Sequence, residues 1–264
     1  MPDELKRSLP LSPKKKRRNL ELKSNLFLMT AHTIFILFAL SVFSVCLGDN
    51  NAKHLFILSG QSNMQGHRPD EAFTPTLEEA LGKSKVIIVQ DALGGQPIHR
   101  WWKEWKDLEG KQMEQTGDLY DRLMSKVKPA IKGQILASVN FVRMQGERDA
   151  KMGWGDLYEE ALVGLHAQLA KDLKRNPEEM TFVIGRLSDF DMTNKKYPHW
   201  KKVRLAQIKV ANSNPNYFWV DTDDLNDGLN RRGKQITNDL HYSAEGYKTL
   251  GKRFALACLI AIGN

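Results

Sequence analysis

The chain has 264 residues, with 39 Lys and Arg against 31 Asp and Glu and only two cysteines. The formal charge of +8 is unevenly placed, because Met1 to Asn25 holds eight basic residues against three acids and so accounts for +5 of it. The remaining +3 is too mild to argue for nucleic-acid binding, and once Cys46 is set aside with the leader Cys258 stands alone, which excludes an intramolecular disulfide in the domain that follows.

The first segment in chain order is that leader. An apolar run without Asp, Glu, Lys or Arg extends from Leu26 to Leu47, densest in IFILFALSVFSVCLG, and follows the basic stretch directly. A basic n-region, an apolar h-region and small residues before Asp49 describe a secretory signal peptide over residues 1–48. The run is also long enough to span a bilayer as an uncleaved anchor. The expectation is an exported chain, secreted or periplasmic, that is either released or membrane-anchored through this segment, with a domain over residues 49–264.

From Asp49 onward short apolar blocks alternate with helical patterns, the signature of βαβ units around a parallel sheet. HLFILS (54–59), KVIIVQDA (85–92), ILASVNFVRM (135–144), MTFVIGRL (180–187) and NYFWVDT (216–222) are the expected strands. Helices are expected over 117–131, 156–175, 199–212 and 243–263. No internal repeat or low-complexity linker interrupts them, so one α/β domain is the economical reading.

Ser62, in LFILSGQSNMQG, falls just past the end of the first strand, where α/β folds bind ligands. A serine entering a helix is ordinarily a cap, so other groups must converge on it before chemistry is inferred. Nucleophilic acyl transfer needs a base, an orienter for that base and donors for an oxyanion. His241 in TNDLHYSAEGY lies in a loop just before the last helix and beside Asp239, which makes it the strongest base among the histidines. Gly94 and Gly95 permit close backbone approach to a reacting carbonyl, and Gln145 in MQGERDA offers an amide at the end of the third strand. The loop DALGGQPIHRWWKEWKDLEG carries Trp101, Trp102 and Trp105; it reads as a cover over a sheet edge or as a sugar-facing surface.

The blocks GQSNM, GGQPIHRW, QGERDA and LHYSAEGYKTLGKRFA, in that order, resemble the SGNH hydrolases, and within them the branch of sialate O-acetylesterases and acetylxylan esterases. The resemblance runs from about residue 54 to the C-terminus. It implies a three-layer α/β/α sandwich with a five-stranded parallel sheet, flavodoxin-like in order, and a serine esterase that removes acetyl groups from carbohydrate hydroxyls without metal or organic cofactor. By the same resemblance Ser62 is the nucleophile, His241 the base, and Ser62, Gly95 (or Gly94) and Gln145 the oxyanion donors. Gln61, Asn63, Glu147 and Trp101 are the expected substrate contacts.

Two departures from the family pattern stand out. Where the family writes Asp-x-x-His, this chain has Asn238 three residues before His241, with Asp239 next to it. Either Asp239 or Asn238 then orients the histidine, Asp239 being placed first, with the acid-rich VDTDDLNDG (220–228) as a further source. The second departure is Arg148, where the family more often has a small residue; Arg148, Arg143 and Arg100 either favour a substrate with carboxylate or sulfate groups or pair with Glu147 and Asp149, and the pairing is the expectation. An orienting acid that has been lost would leave an alternative, an SGNH-fold carbohydrate-binding protein with impaired catalysis.

Overall fold

The computed structural model describes residues 51–263, so the expected leader lies outside the described residues. Five strands form one parallel sheet: β1 (Lys53–Gly60), β2 (Val86–Ala92), β3 (Leu136–Met144), β4 (Thr181–Gly185) and β5 (Tyr217–Val220). Their spatial order is β2-β1-β3-β4-β5, with every neighbouring pair parallel. This is the flavodoxin-like order, in which the connections change direction between β1 and β3 and open a crevice at the carboxyl ends of those two strands. The inner strands are buried over nearly their whole length on both faces, which is why they read in the sequence as continuous apolar runs rather than alternating ones.

Among the described residues seven α-helices accompany the sheet: α1 (Ser62–Gly66), α2 (Phe73–Leu81), α3 (Asp118–Ile131), α4 (Glu147–Met152), α5 (Tyr158–Asp172), α6 (Trp200–Ala211) and α7 (Ala244–Gly263). On one face α2 and α7 pack together, and Phe73 of α2 meets Phe56 of β1 edge-on with ring centroids 5.8 Å apart. On the other face α5 packs on α6, and His166 of α5 stacks 4.6 Å from Phe182 of β4. Tyr120 of α3 joins that second layer by donating its hydroxyl to Asp172 at 2.8 Å. The expected three-layer sandwich is therefore present, and the chain from Asn51 on forms one compact unit. Among the described residues no helix is long and apolar enough to cross a membrane.

Two strands stop earlier than the apolar runs suggest, β4 at Gly185 and β5 at Val220, and α2 was not read from the sequence at all. Pro75 inside FTPTLEEAL is the reason for the second omission. Proline at the third helical position sits in the first turn, where its missing N–H would have had no intrahelical partner. A short antiparallel pair, Gly228–Leu229 with Gln235–Ile236, precedes the loop that carries His241.

Candidate active site

The site is assembled at the carboxyl ends of β1 and β3. Gly60, the last residue of β1, lies so close to β3 that a Cβ there would stand 1.9 Å from the Met144 carbonyl oxygen, and the adjacent Gln61 N–H donates to that same oxygen at 3.0 Å. The two strand ends are thus held at a separation that a side chain would forbid. Ser62 follows as the first residue of α1, so its N–H has no partner within the helix.

The loop before α7 brings His241 to this point. Its Nε2 lies 3.0 Å from the Ser62 Oγ, across 179 residues of sequence. The other histidines among the described residues are elsewhere: His54 meets Ser138 at 2.9 Å, His67, His99 and His166 are buried, and His199 accepts the Gly155 N–H. Asp239 is the carboxylate beside His241. Its Oδ1 accepts the His241 backbone N–H at 2.9 Å and stands 3.8 Å from Nδ1, a charge contact too long for a hydrogen bond. Asn238 faces away, its Oδ1 accepting from Asn226 at 3.2 Å and its Nδ2 donating to the Phe190 carbonyl at 3.4 Å. The further acids of 220–228 are engaged as well: Asp221 and Asp223 with Arg186, Asp223 also with Arg204, and Asp224 with Arg253.

Asn63 locks the three segments together. Its Nδ2 donates to Glu147 Oε1 at 2.9 Å and to the Leu240 carbonyl at 3.1 Å, while its Oδ1 accepts the Tyr247 hydroxyl at 3.0 Å. With every polar atom used internally and the residue buried, Asn63 is a positioning residue and not the substrate contact expected from the sequence. Glu147 does line the cleft but is deeply buried, and burial pushes its carboxyl up to about 7. Asp149, buried behind it, is pushed up to about 6 for the same reason while accepting the Ile98 N–H.

Gln145 is also corrected. Its side chain is fully buried, and its Nε2 donates to Asp149 at 2.5 Å and to the Gln96 carbonyl at 3.1 Å, which accounts for both hydrogens. It cannot present an N–H to a reacting oxygen in this arrangement; through Gln96 it fixes the turn that carries Gly95. Gly95 itself has φ +71, a left-handed conformation that glycine adopts without penalty, and its N–H makes no hydrogen bond among the described residues. The neighbouring Gly94 N–H is already given to Gln65 Oε1 at 2.9 Å. Gln61 keeps its amide oxygen bonded to the Arg148 N–H at 3.2 Å, and its amide nitrogen has no partner among the described residues.

These groups line a cleft of about 340 Å³ that includes Gln61, Ser62, Gly94, Gly95, Glu147 and His241. Trp101 is absent from it. The Trp101 and Trp105 side chains are wholly buried, and Trp101 lies against the Arg143 guanidinium 4.2 Å from its ring centroid. The tryptophan loop is a structural cover laid on α5, where Gln168 donates to the Trp101 carbonyl at 3.0 Å, so Trp101 is not a substrate contact. The aromatic side chain that does line the cleft is Tyr197, which sequence reading missed together with Lys151 and Leu240. Lys151 alone had a legible signal, its spacing of three from Arg148 on a short helix.

The expected pairing of the arginines is found only in part: none makes a direct ion pair with Glu147 or Asp149 among the described residues, but both carboxylates act by charge on the buried Arg143 and oppose the lowering that burial imposes on it. Arg100 pairs with Asp118 at 2.6 Å, Arg143 donates to Ser59 at 3.1 Å, and Arg148 gives its Nε to the Gly95 carbonyl at 2.9 Å, while Glu147 and Asp149 are occupied by Asn63, Gln145 and Ile98.

No curated protein matches the chain. Among solved structures, a protein from Arabidopsis thaliana is similar at 21% identity over 79% of this chain and 98% of its own, with a TM-score of 0.57. A carbohydrate acetylesterase from Xanthomonas citri aligns at 17% identity and a TM-score of 0.57 over 80% of this chain but only 57% of its own length, and NanS at 13% and 0.56 over 80% and 97%. At these identities the likeness is one of fold. Residues 68–260 match the family model described as carbohydrate esterase, sialic acid-specific acetylesterase, a span that contains Gly95, Gln145 and His241 and begins six residues after Ser62. The chain therefore belongs to the sialic acid-specific acetylesterase family of carbohydrate esterases.

Proposed function

We propose that the chain is an exported serine O-acetylesterase acting on acetylated carbohydrate, either a polysaccharide or a sialoglycan. The observation that carries the reading is the 3.0 Å contact between Ser62 Oγ and His241 Nε2 inside a cleft that also contains the unpartnered Gly95 N–H. His241 takes the Ser62 proton as the oxygen attacks the acetyl carbonyl, and the N–H groups of Ser62 and Gly95 hold the oxyanion, with the Gln61 amide as a further donor. The sugar oxygen leaves with the proton from His241. Water, deprotonated by the same imidazole, then releases acetate from the acyl-serine.

Asp239 is the residue that stabilises the imidazolium in this reading, because its carboxylate is the nearer charge and Asn238 is turned to Asn226. A second reading, a carbohydrate-binding protein of impaired catalysis, is favoured by the same 3.8 Å separation, which is longer than a hydrogen bond. Acetate release from acetylated xylan and from O-acetylated sialic acid decides between them. Turnover that falls by at least about a thousandfold in Ser62→Ala supports the esterase. Equal rates in wild type and Ser62→Ala would overturn it. Export is tested by the N-terminal sequence of the chain recovered outside the cytoplasm: a start near Asp49 supports cleavage, and a start at Met1 supports an anchor.

A further inference from the structure

A strip of cations lies at the amino edge of the sheet, at the opposite end of the strands from Ser62. Lys53 opens β1, Lys83 and Lys85 form the turn into β2, and Lys132 follows α3 in the turn before β3. Arg175, just past α5, reaches the same edge by donating an Nη2 hydrogen to the Leu136 carbonyl at 2.8 Å. Because β1 lies between β2 and β3, these groups flank its first residue on both sides. The four segments that make the strip, residues 51–54, 82–87, 128–136 and 173–177, hold seven Lys and Arg and no Asp or Glu. The acids begin beyond it, with Glu78 and Glu79 late in α2 and Glu178 and Glu179 before β4.

None of the seven cations forms an ion pair among the described residues, whereas Arg186, Arg204 and Arg253 near the carboxyl edge are each held by Asp221, Asp223 or Asp224. Lys132 follows the carboxyl end of a helix, where cations are favoured, but Lys53 and Lys85 adjoin strand starts and have no such reason. Their like charges are close enough to act on a neighbour: burial, and then the Lys85 ammonium, lower the His54 imidazole. Ile135, whose carbonyl accepts the Lys53 N–H at 2.8 Å, is 57% exposed amid these cations. Exposed cations around an exposed aliphatic side chain suit the surface of an anionic bilayer.

The described chain enters on this same edge, at Asn51. In sequence only Gly48, Asp49 and Asn50 separate it from Leu47, the last residue of the uncharged apolar run. A chain that spans a bilayer with that run holds Asn51 within about 14 Å of the span's end, four residue steps fully extended. That is of the order of the distance, about 10 Å, over which surface charge acts in dilute salt.

We infer that the amino edge of the sheet rests on an anionic lipid bilayer through Lys53, Lys83, Lys85, Lys132 and Ile135, with the Ser62 cleft turned away from it. β1 alone sets the two edges roughly 23 Å apart, seven steps of about 3.3 Å, so a contact at one leaves the other open to a bulky substrate. The inference rests on the anchored form of the export reading for its tether, while the face stands on its own residues.

The test reconstitutes the full chain in vesicles with Cys46→Ala and one fluorophore, either on Ser84→Cys in the strip or on Thr193→Cys in the loop after β4. Both positions are exposed, and Cys258 is buried. The readout is energy transfer to acceptor-labelled headgroups in neutral phosphatidylcholine vesicles and in vesicles one third phosphatidylglycerol. In the anionic vesicles transfer from Ser84→Cys is expected to exceed that from Thr193→Cys at least about threefold and to fall toward the neutral-vesicle value between 50 mM and 0.5 M salt. Lys83→Gln with Lys85→Gln lowers it likewise, whereas Lys195→Gln with Lys196→Gln, the same loss of charge near the cleft, leaves it unchanged. Equal transfer from the two labels, or a Ser84→Cys signal indifferent to lipid charge, would overturn the inference. A chain recovered with its start near Asp49 would remove the tether and not the face. That released chain is sedimented with the same vesicles, and each Lys→Gln in the strip is then expected to lower its partition about fivefold. No binding to the anionic vesicles in that form would overturn the inference, as would capture by heparin alone, which would assign the strip to a soluble polyanion.

Discussion

The segments that follow β2 and β3 make an informative pair. Both leave the carboxyl edge of the sheet, both contain glycine at a positive φ, and both carry side chains that suit a sugar. The segment after β2 turns its aromatics inward: Trp101 covers Arg143, and Trp105 packs 5.0 Å from Trp154 and 5.3 Å from His99. The segment after β3 buries its acids and leaves its cations in the cleft. Residue type at a strand end is thus a weak guide to what meets a ligand. What decides is where each side chain finds its partner. Trp101 has a buried guanidinium to lie on, whereas Arg148 and Lys151 form no ion pair among the described residues.

The largest effect that tests this contrast is on stability. Trp101→Ala should cost about 3–5 kcal/mol, because it opens a cavity beneath the loop and uncovers the Arg143 guanidinium, while the folded fraction keeps its kcat. Tyr197→Ala, which gives up edge contacts with Phe190 and Trp200, should cost less, about 1–2 kcal/mol, and raise KM. Denaturant melts beside steady-state kinetics check both, and a Trp101→Ala chain of wild-type stability with a raised KM would reverse the assignment of the two aromatics.

The two segments should also respond to pH with opposite sign. Burial lowers His99, beneath the tryptophans, to about 4 from an ordinary 6.5, so between those values the unfolded chain binds a proton that the native chain refuses. Stability from this group is intact above pH 6.5 and is lost as pH falls toward 4. Glu147 on α4 is raised to about 7 from 4.5, so the native chain holds a proton that the unfolded chain has released. Its contribution is intact below pH 4.5 and is lost as pH rises through 7. Each proton contributes a slope of about 1.4 kcal/mol per pH unit within its window. His99→Leu should make the acid-side slope shallower, since buried His67 and His166 share it, and Glu147→Gln, which preserves the Asn63 bond, should make the opposing slope shallower, to which Asp149 also contributes; thermal melts from pH 4 to 8 that leave both slopes unchanged would contradict the burial argument.

The smallest effect distinguishes the two candidate orienters. Asp239→Ala is expected to lower kcat by about 10- to 100-fold, less than the loss for the hydrogen-bonded acid of a protease triad because the carboxylate sits beyond hydrogen-bond distance of Nδ1. Asn238→Ala should change kcat by less than about twofold. The reverse ranking would mean that the loop closes differently when substrate binds.

The architecture was legible because buried parallel strands write themselves as unbroken apolar runs, and LFIL, VIIV and FVIG could be nothing else once helical periods separated them. Ser62 and His241 were legible as a strand-end serine and a loop histidine beside an acid. Neither composition nor periodicity could say that Gln145 would spend its amide on Asp149, or that Asn63 would close on Glu147, Leu240 and Tyr247. The Asn63 bonds reach partners 84, 177 and 184 residues away, and although Asp149 is only four residues from Gln145, its carboxylate is held in place by the Ile98 N–H, 51 residues away. The inward turn of Trp101 was hidden for the same reason, since the Arg143 side chain that it covers lies on β3, and nothing local marks it as buried.

The central claim is that Ser62 is a nucleophile activated by His241. It is tested most directly by a serine-directed fluorophosphonate, with the modified residue located by peptide mass spectrometry. The account predicts labelling at Ser62 that disappears in Ser62→Ala and slows at least about a hundredfold in His241→Ala. Absence of labelling at Ser62 in the folded wild-type chain, or labelling at a rate indifferent to His241, would contradict it.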